Sequence, residues 1–386
     1  MNSYKGNKLK IAMIGHKRVP SREGGVEIVV EEISKRLVKQ GHTVHAYNRK
    51  GQHVSGKEYE TVSKIINEYN GINLVQTFTL NKKGLAALTS SFFSTIRALF
   101  GKYDVIHYHA EGPSAMLLIP HIFGIRTVAT IHGLDWQRAK WGGLATKYLK
   151  FGEWVAAKYA DEVIVLSSNV QEYFKEKYNR KTKFISNGID RLQSIPPSII
   201  EQKWNLKKDE YILFLGRIVP EKGLSYLIDA FKKVNTAKKL VIAGGASDTN
   251  EFMDEIKEKS SKDDRIIFTG FVQGRELEEL YSNAYVYVLP SDLEGMPVSL
   301  LEAMSYGNCC LVSDIPECKE VVEDKAVVFK KSDIVSLKEK LQWLCDNNDV
   351  TYRYKDEASN FICNKYNWDN VVDETVELYR RYEDNV

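Results

Sequence analysis

Two glutamates eight residues apart, Glu294 and Glu302, stand in the segment PSDLEGMPVSLLEAMSYG, residues 290–307. A carboxylate accepts hydrogen bonds from paired hydroxyls, such as those of a sugar or a ribose. Gly295-Met296-Pro297 suits a loop entering a helix, with proline near the first helical position. Glu294 is then expected in the loop and Glu302 about one and a half turns into the helix. So placed, the pair addresses two ends of one elongated ligand. An amphipathic helix with two exposed glutamates explains neither the Gly-Met-Pro context nor the position.

A second pair is cationic. In YILFLGRIVPEKG, residues 211–223, Arg217 follows a strand-like run at once and Lys222 comes five residues later. Two cations at a strand mouth neutralise a diphosphate, the arginine as a planar fork and the lysine as a point charge; the plainer reading is a solvated basic loop. Near the N-terminus, Gly24-Gly25 directly precede a helical pattern. The free N–H groups and dipole of a helix start suit a phosphate, and glycines leave room for its approach. The same glycines read equally well as a simple turn, and they do not form the GxGxxG of a dinucleotide site.

Two further strand ends carry histidines: His109, then Glu111 and Gly112; and His132, then Gly133, Leu134 and Asp135. Two histidine-bearing strand ends, each with an acid two or three residues on, point to a site rather than to isolated core histidines. The one close histidine pair, His107 and His109, is expected to alternate faces on a strand, and no metal site is expected.

These residues need a scaffold that gathers strand ends. Short β-branched runs alternate with helical stretches: 10–15, 43–47, 105–107, 127–131, 162–166 and 183–185 in the first half, with a helix over 25–40. In the second half the runs are 211–216, 239–244, 265–269, 284–289 and 308–312. This pattern predicts two Rossmann-like units, each a parallel sheet with helices on both faces. Pro196-Pro197 mark a linker near 192–205 that is a poor helix or strand interior. The expected domains are 1–192, 193–365 and a C-terminal helix, 366–386, packing back on the first domain. Ligands in such sheets bind beyond the carboxyl ends of the strands, where the chosen residues fall.

Composition excludes other classes. Of 386 residues, 43% are hydrophobic and 27% charged, which is neither disordered nor fibrous. The net charge of +3 hides a split: residues 1–190 carry 28 Lys and Arg against 16 Asp and Glu, and residues 191–386 carry 26 against 35. The basic half suggests an anionic partner. Dispersed basic residues without a recognised motif argue against nucleic acid. The five cysteines form no CxxC pair, consistent with reduced thiols in a cytoplasmic chain. The N-terminus does not read as a signal peptide, and the longest apolar stretch, 115–125, is broken by Pro120 and His121, short of the ~20 residues that span a bilayer.

GRIVPEKG (216–223), GFVQGRELEELYSNA (270–284) and EGMPVSLLEAMSYG (294–307), in this order, resemble the retaining glycosyltransferases of family 4. SNGID (186–190) is similar to that family's interdomain motif and YNWDNVVDETVELY (366–379) to its terminal crossing helix. IGHKRVPSREGGVE (14–27) is similar to a rhamnosyltransferase-like subgroup that builds bacterial surface polysaccharides. The resemblance implies the GT-B fold: two Rossmann-like domains with parallel sheets facing across a cleft, and a C-terminal helix crossing back.

It also implies roles. Arg217 and Lys222 would bind the donor diphosphate, approached by Gly25 (with Gly24 beside it) from the facing domain. Glu302 would hold the ribose hydroxyls, Glu294 the donor sugar, and Phe271 and Val272 would flank the base. His132 would lie against the transferred sugar. The donor would be a UDP-, dTDP- or GDP-sugar and the acceptor a glycan or a polyprenyl-diphosphate-linked glycan, with no cofactor. No DxD motif indicates a metal clamp. The departing phosphate would accept the acceptor's proton in a same-face attack, while an inverting enzyme would turn first to Asp135 or Glu111 as base. A non-catalytic nucleotide-sugar-binding protein and a same-fold epimerase or phosphorylase are the alternatives; a phosphorylase would need a cofactor lysine or a free-phosphate site, and neither is evident.

Residues 80–102 mix Leu and Phe with Lys82, Lys83, Arg97 and Lys102. A basic amphipathic helix can lie on an anionic membrane surface, here at the inner face of the cell membrane. The preferred reading is a helix packed on the core with a solvated basic edge.

Overall fold

The computed structural model describes residues 8–50, 67–80, 82, 84–138, 141–246 and 251–380. The chain divides into two units, one of residues 1–187 with 368–386 and one of residues 188–367.

The first unit is built on eight strands: β1 (Lys10–Ile14), β2 (Thr43–Arg49), β3 (Glu68–Tyr69), β4 (Ile72–Thr77), β5 (Val105–His109), β6 (Arg126–Ile131), β7 (Glu162–Val165) and β8 (Lys183–Phe184). Their order is β3-β4-β2-β1-β5-β6-β7-β8. All neighbours are parallel except β3 and β4. This edge hairpin departs from the expected all-parallel sheet. Its turn is Asn70-Gly71, both at positive φ, the dipeptide that favours a tight hairpin. Every residue of β5 is buried, as a strand covered on both faces requires.

In the second unit the strands are β9 (Tyr211–Leu215), β10 (Lys239–Ala243), β11 (Ile266–Gly270), β12 (Val286–Leu289), β13 (Cys309–Ser313) and β14 (Val327–Phe329). Their order is β11-β10-β9-β12-β13-β14, parallel throughout. In each sheet the order reverses at one point: β1 stands between β2 and β5, and β9 between β10 and β12. At such a reversal the chains leave in opposite directions and open a crevice beyond the strand ends.

The expected linker is partly helical. Ile199–Trp204 forms a short helix right after Pro196-Pro197. Its opening N–H groups, of Ser198, Ile199 and Ile200, all donate to one Glu279 carboxylate oxygen at 2.9, 2.7 and 3.2 Å. A carboxylate from another helix caps this start, so the prolines delay the helix without preventing it.

The C-terminal helix Trp368–Tyr379 belongs to the first unit. It packs on the helix Gly25–Lys39, where Arg36 meets Asp369 at 3.3 Å and Gln40 donates to Asp373 at 2.8 Å. Arg126, at the start of β6, donates to the Leu378 carbonyl at 2.9 Å. The cysteines are free thiols, with Cys309, Cys310 and Cys318 buried. Among the described residues no helix is long and apolar enough to cross a membrane.

Candidate active site

Both order reversals carry the residues singled out from the sequence. In the second unit Gly216-Arg217 directly follow β9, and the turn Pro220–Lys222 comes after them. Lys222 reaches the loop after β12, where its ammonium lies 2.5 Å from Oε1 of Glu294. The Ser291 hydroxyl donates to the same oxygen at 2.6 Å. Both charged side chains are nearly buried, 13% and 10% exposed. Gly223 makes the approach possible: at φ +69 it turns the chain, and a Cβ there would lie 2.0 Å from the Pro290 carbonyl oxygen.

Glu302 lies on the helix Val298–Ser305 and is buried. Its Oε2 accepts the Tyr281 hydroxyl at 3.2 Å. Tyr287, on β12, lies near enough to both glutamates to feel their charges. Burial pushes its phenol up, and the charges of Glu294 and Glu302 add to this. Its hydroxyl is held by Ser299 at 2.9 Å. Pro297 stands just before the helix, so Glu294 is in the loop and Glu302 is the fifth helical residue.

The ends of β9, β10 and β11 are stitched by backbone. Gly216 N–H donates to Ala243, Ile218 to Gly245, and Gly244 to Gly270, at 3.0, 2.9 and 2.8 Å. A Cβ on Gly244, at φ +146, would lie 1.9 Å from the Gly216 oxygen. Phe271 and Val272 follow β11 directly; Val272 is buried, and Phe271 borders the Gly244-Gly245 turn. Arg217, Lys222, Phe271, Val272, Glu294 and Glu302 thus all belong to one end of one sheet.

In the first unit His109 and His132 come together at the ends of β5 and β6. His109 Nδ1 and His132 Nε2 are 3.1 Å apart. His107 and His109 do not alternate faces, contrary to the expectation from the sequence. Residues two apart in a strand share a face, and their rings stack with centroids 4.2 Å apart. His107 is tied on both nitrogens, Nδ1 to the Tyr379 hydroxyl at 2.6 Å and Nε2 to Thr130 Oγ1 at 2.7 Å. Burial holds the imidazoles of His107, His132 and His16 down, to about 3, 4 and 4, so they are neutral near pH 7. Among the described residues no group of three His, Cys, Asp or Glu is placed to hold a metal.

The glycine-led helix start holds a residue not singled out from the sequence. Glu27 is buried, and its carboxylate folds back toward Gly24, where a Cβ would lie 2.5 Å from Oε2. Oε1 accepts the Lys17 N–H at 2.8 Å. Burial raises the Glu27 pKa, but the Lys17 charge, the Lys17 N–H and Arg49 outweigh it, so the carboxyl stays below its ordinary range. An anion approaching Gly24-Gly25 therefore meets a fixed carboxylate as well as the helix start. The signal was an acid two residues after the Gly-Gly pair, where the helix dipole favours it.

The two acids weighed as bases differ. Asp135 opens a short turn after His132 and pairs with Arg138 at 2.9 Å. Glu111 is fully buried, with no hydrogen-bond partner on either oxygen. Burial, then the neighbouring charges of Asp135 and Glu153, push its carboxyl far above the ordinary range. Glu153 was not singled out from the sequence. It is also buried but collects donors from Trp136 (2.8 Å), Tyr173 (2.8 Å), Lys177 (2.8 Å) and Tyr178.

The helix Leu85–Leu99 turns Ser90, Ser91, Ser94, Thr95 and Ala98 inward, and Phe92 and Phe93 outward at 41% and 42% exposure. It does pack on the core, but through small and hydroxyl side chains; Ser94 donates to Thr77 at 3.2 Å, and Thr95 bonds Tyr108 at 2.9 Å. Phe78 packs edge-on against Phe93. Asn81 and Lys83 lie outside the described residues.

Residues 23–191 match the family model described as Glycosyltransferase Family 4, and residues 198–368 match Glycosyl transferases group 1. An uncharacterized glycosyltransferase of Methanocaldococcus jannaschii is 27% identical over 96% of this chain and 98% of its own length. A UDP-Gal:alpha-D-GlcNAc-diphosphoundecaprenol alpha-1,3-galactosyltransferase of Escherichia coli is 27% identical over 72% of this chain and 75% of its own. Among solved structures, sucrose-phosphate synthase from Thermosynechococcus elongatus superposes with a TM-score of 0.82 at 21% identity, over 97% of this chain and 98% of that one. Anabaena HepE in complex with UDP and glucose superposes at 0.78 and 16% identity, over 96% and 98%.

Proposed function

This chain is a GT-B glycosyltransferase of the family 4 and group 1 type, and from that premise we propose that it moves a hexosyl group from a UDP-, dTDP- or GDP-sugar to a glycan or polyprenyl-diphosphate-linked acceptor, with retention and without a metal. The observation that carries the donor half is the Lys222–Glu294 pair beside buried Glu302 at the β9/β12 reversal. In this reading Arg217 and Lys222 hold the diphosphate and stabilise the charge that develops as the sugar leaves. Glu294 takes hydroxyls of the donor sugar and Glu302 those of the ribose, with Phe271 and Val272 against the base. The named relative's diphosphoundecaprenol acceptor supports a lipid-linked acceptor, and the UDP and glucose of HepE support a nucleotide-sugar donor.

Retention is the reading favoured by the state of the two acids weighed as bases, Glu111 and Asp135. Glu111 keeps its proton near pH 7 and cannot take another from an acceptor hydroxyl. Asp135 is engaged by Arg138. In this reading the departing phosphate receives the proton, while the protein positions the reactants. His132 lies against the transferred sugar and Gly24-Gly25 leave room for it. A surface-polysaccharide role at the inner face of the cell membrane accords with the outward Phe92 and Phe93 on a helix without acidic residues. A screen of UDP-, dTDP- and GDP-sugars for turnover in EDTA, followed by NMR of the product's anomeric centre, tests the reading. Donor-like configuration in the product supports it; inverted configuration, or turnover abolished by EDTA, overturns it.

A further inference from the structure

Resting on the reading that His132 lies against the sugar, we infer that His109 is a positioning residue: it donates Nδ1–H to His132 Nε2 and so fixes His132 as the tautomer that presents Nδ1–H to the ligand.

The geometry leaves few other arrangements. His109 is fully buried, and its Nδ1 lies 3.1 Å from His132 Nε2. Its other nitrogen, Nε2, has no hydrogen-bond partner. His107, stacked on it, cannot supply one, because Tyr379 and Thr130 occupy both of its nitrogens. One of His109 and His132 must donate across the 3.1 Å contact. If His132 donated, His109 would carry its proton on Nε2, leaving a buried N–H without an acceptor. If His109 donates, the orphan is only a lone pair. A buried donor without an acceptor is the rarer and costlier defect. The hydrogen bond made by one ring nitrogen decides the state of the other, so His132 carries its proton on Nδ1.

His109 is also held rigidly. Gly15, at φ +122, closes the end of β1 against it, and a Cβ there would lie 2.2 Å from the His109 carbonyl oxygen. Arg49 donates to the Gly15 carbonyl at 3.0 Å. Burial keeps the histidines neutral, so the tautomer persists across the neutral range. His132 is then a hydrogen-bond donor toward a sugar oxygen and not a proton acceptor.

Imidazole 15N spectra of the full chain near pH 7.5 read the tautomer directly, with His132→Ala assigning the signal. The expected result is an Nδ1–H His132 in the wild type. His109→Phe, which cannot donate, is expected to shift His132 toward Nε2–H and to lower kcat about 10-fold or more with a smaller change in KM. His109→Gln, which retains a donor, is expected to recover part of kcat. An Nε2–H His132 in the wild type, or an unchanged tautomer and kcat in His109→Phe, overturns the inference. Should His109→Phe not fold, the wild-type spectrum still decides. Full activity in His132→Ala would instead overturn the underlying reading of His132, whatever the tautomer.

Discussion

Lys222 and Glu294, 72 residues apart in sequence, meet at 2.5 Å in the second unit, with Ser291 on the same carboxylate oxygen. Each side chain is therefore the other's counter-charge when no ligand is bound. Removing one leaves the other nearly buried and without its counter-charge. Lys222→Ala is expected to destabilise the chain by about 2–3 kcal/mol, somewhat below the ~3–5 of a fully buried pair. Lys222→Met with Glu294→Gln is expected to cost less than the sum of the single changes. Urea melts of wild type, Lys222→Ala, Lys222→Met, Glu294→Gln and the double variant check this; strict additivity of Lys222→Met and Glu294→Gln would show that the pair does not act as a unit.

Gly223 is what lets the two loops touch. Gly223→Ala places a methyl group 2.0 Å from the Pro290 oxygen at a left-handed φ. The expected outcome is a loss of at least ~2 kcal/mol and a raised KM for the nucleotide sugar, since Lys222 and Glu294 must separate. Thermal melts and steady-state kinetics check both.

Stability should fall on mild acidification. His16, His107 and His132 are held neutral, down to about 4, 3 and 4, against 6.5 when unfolded. Between those values the unfolded chain binds more protons, so stability is full above about pH 6.5 and is lost as pH falls toward 4. The slope is at most ~1.4 kcal/mol per pH unit per histidine. Glu111 acts in the opposite sense. Its folded pKa is raised, so its contribution is present below its ordinary 4.5 and is lost as pH rises above it. Glu111→Gln is expected to raise Tm progressively from about pH 4.5 and most at pH 7–9, and so to steepen the acid limb above pH 4.5. Melting temperature against pH for wild type and variant checks both signs.

Much of this architecture is legible in the chain, and the limits are physical. The buried strands announce themselves as β-branched runs because parallel strands are covered on both faces. The hairpin of β3 and β4 was missed although Asn70-Gly71 signals it, since strands this short carry little pattern. Arg217, Lys222, Glu294 and Glu302 could be picked by type and spacing, but the direct Lys222–Glu294 bond could not, because sequence separation says nothing of which strand ends share a crevice. Glu27 and Glu153 were missed for a different reason. Each sits inside a helical pattern, where an acid reads as solvated surface, yet both turn inward to collect donors. Ser90, Ser91 and Ser94 reverse the same rule: the helix Leu85–Leu99 buries its hydroxyls and turns Phe92 and Phe93 outward.

The outward phenylalanines carry a prediction of their own. Phe92→Ser with Phe93→Ser is expected to weaken co-sedimentation with anionic vesicles while leaving donor hydrolysis intact, because these partly exposed side chains lie on the outer face of their helix. Binding that is unaffected by the substitutions and by high salt would sink the membrane-surface reading.

The most direct test of the central claim is nucleoside diphosphate release from the best nucleotide sugar, in EDTA, by wild type, Arg217→Ala and Lys222→Ala. Each variant is expected to lose at least ~10-fold in kcat, which is ~1.4 kcal/mol of transition-state stabilisation. Wild-type turnover in both variants would contradict the assignment of this strand end as the place where the diphosphate leaves.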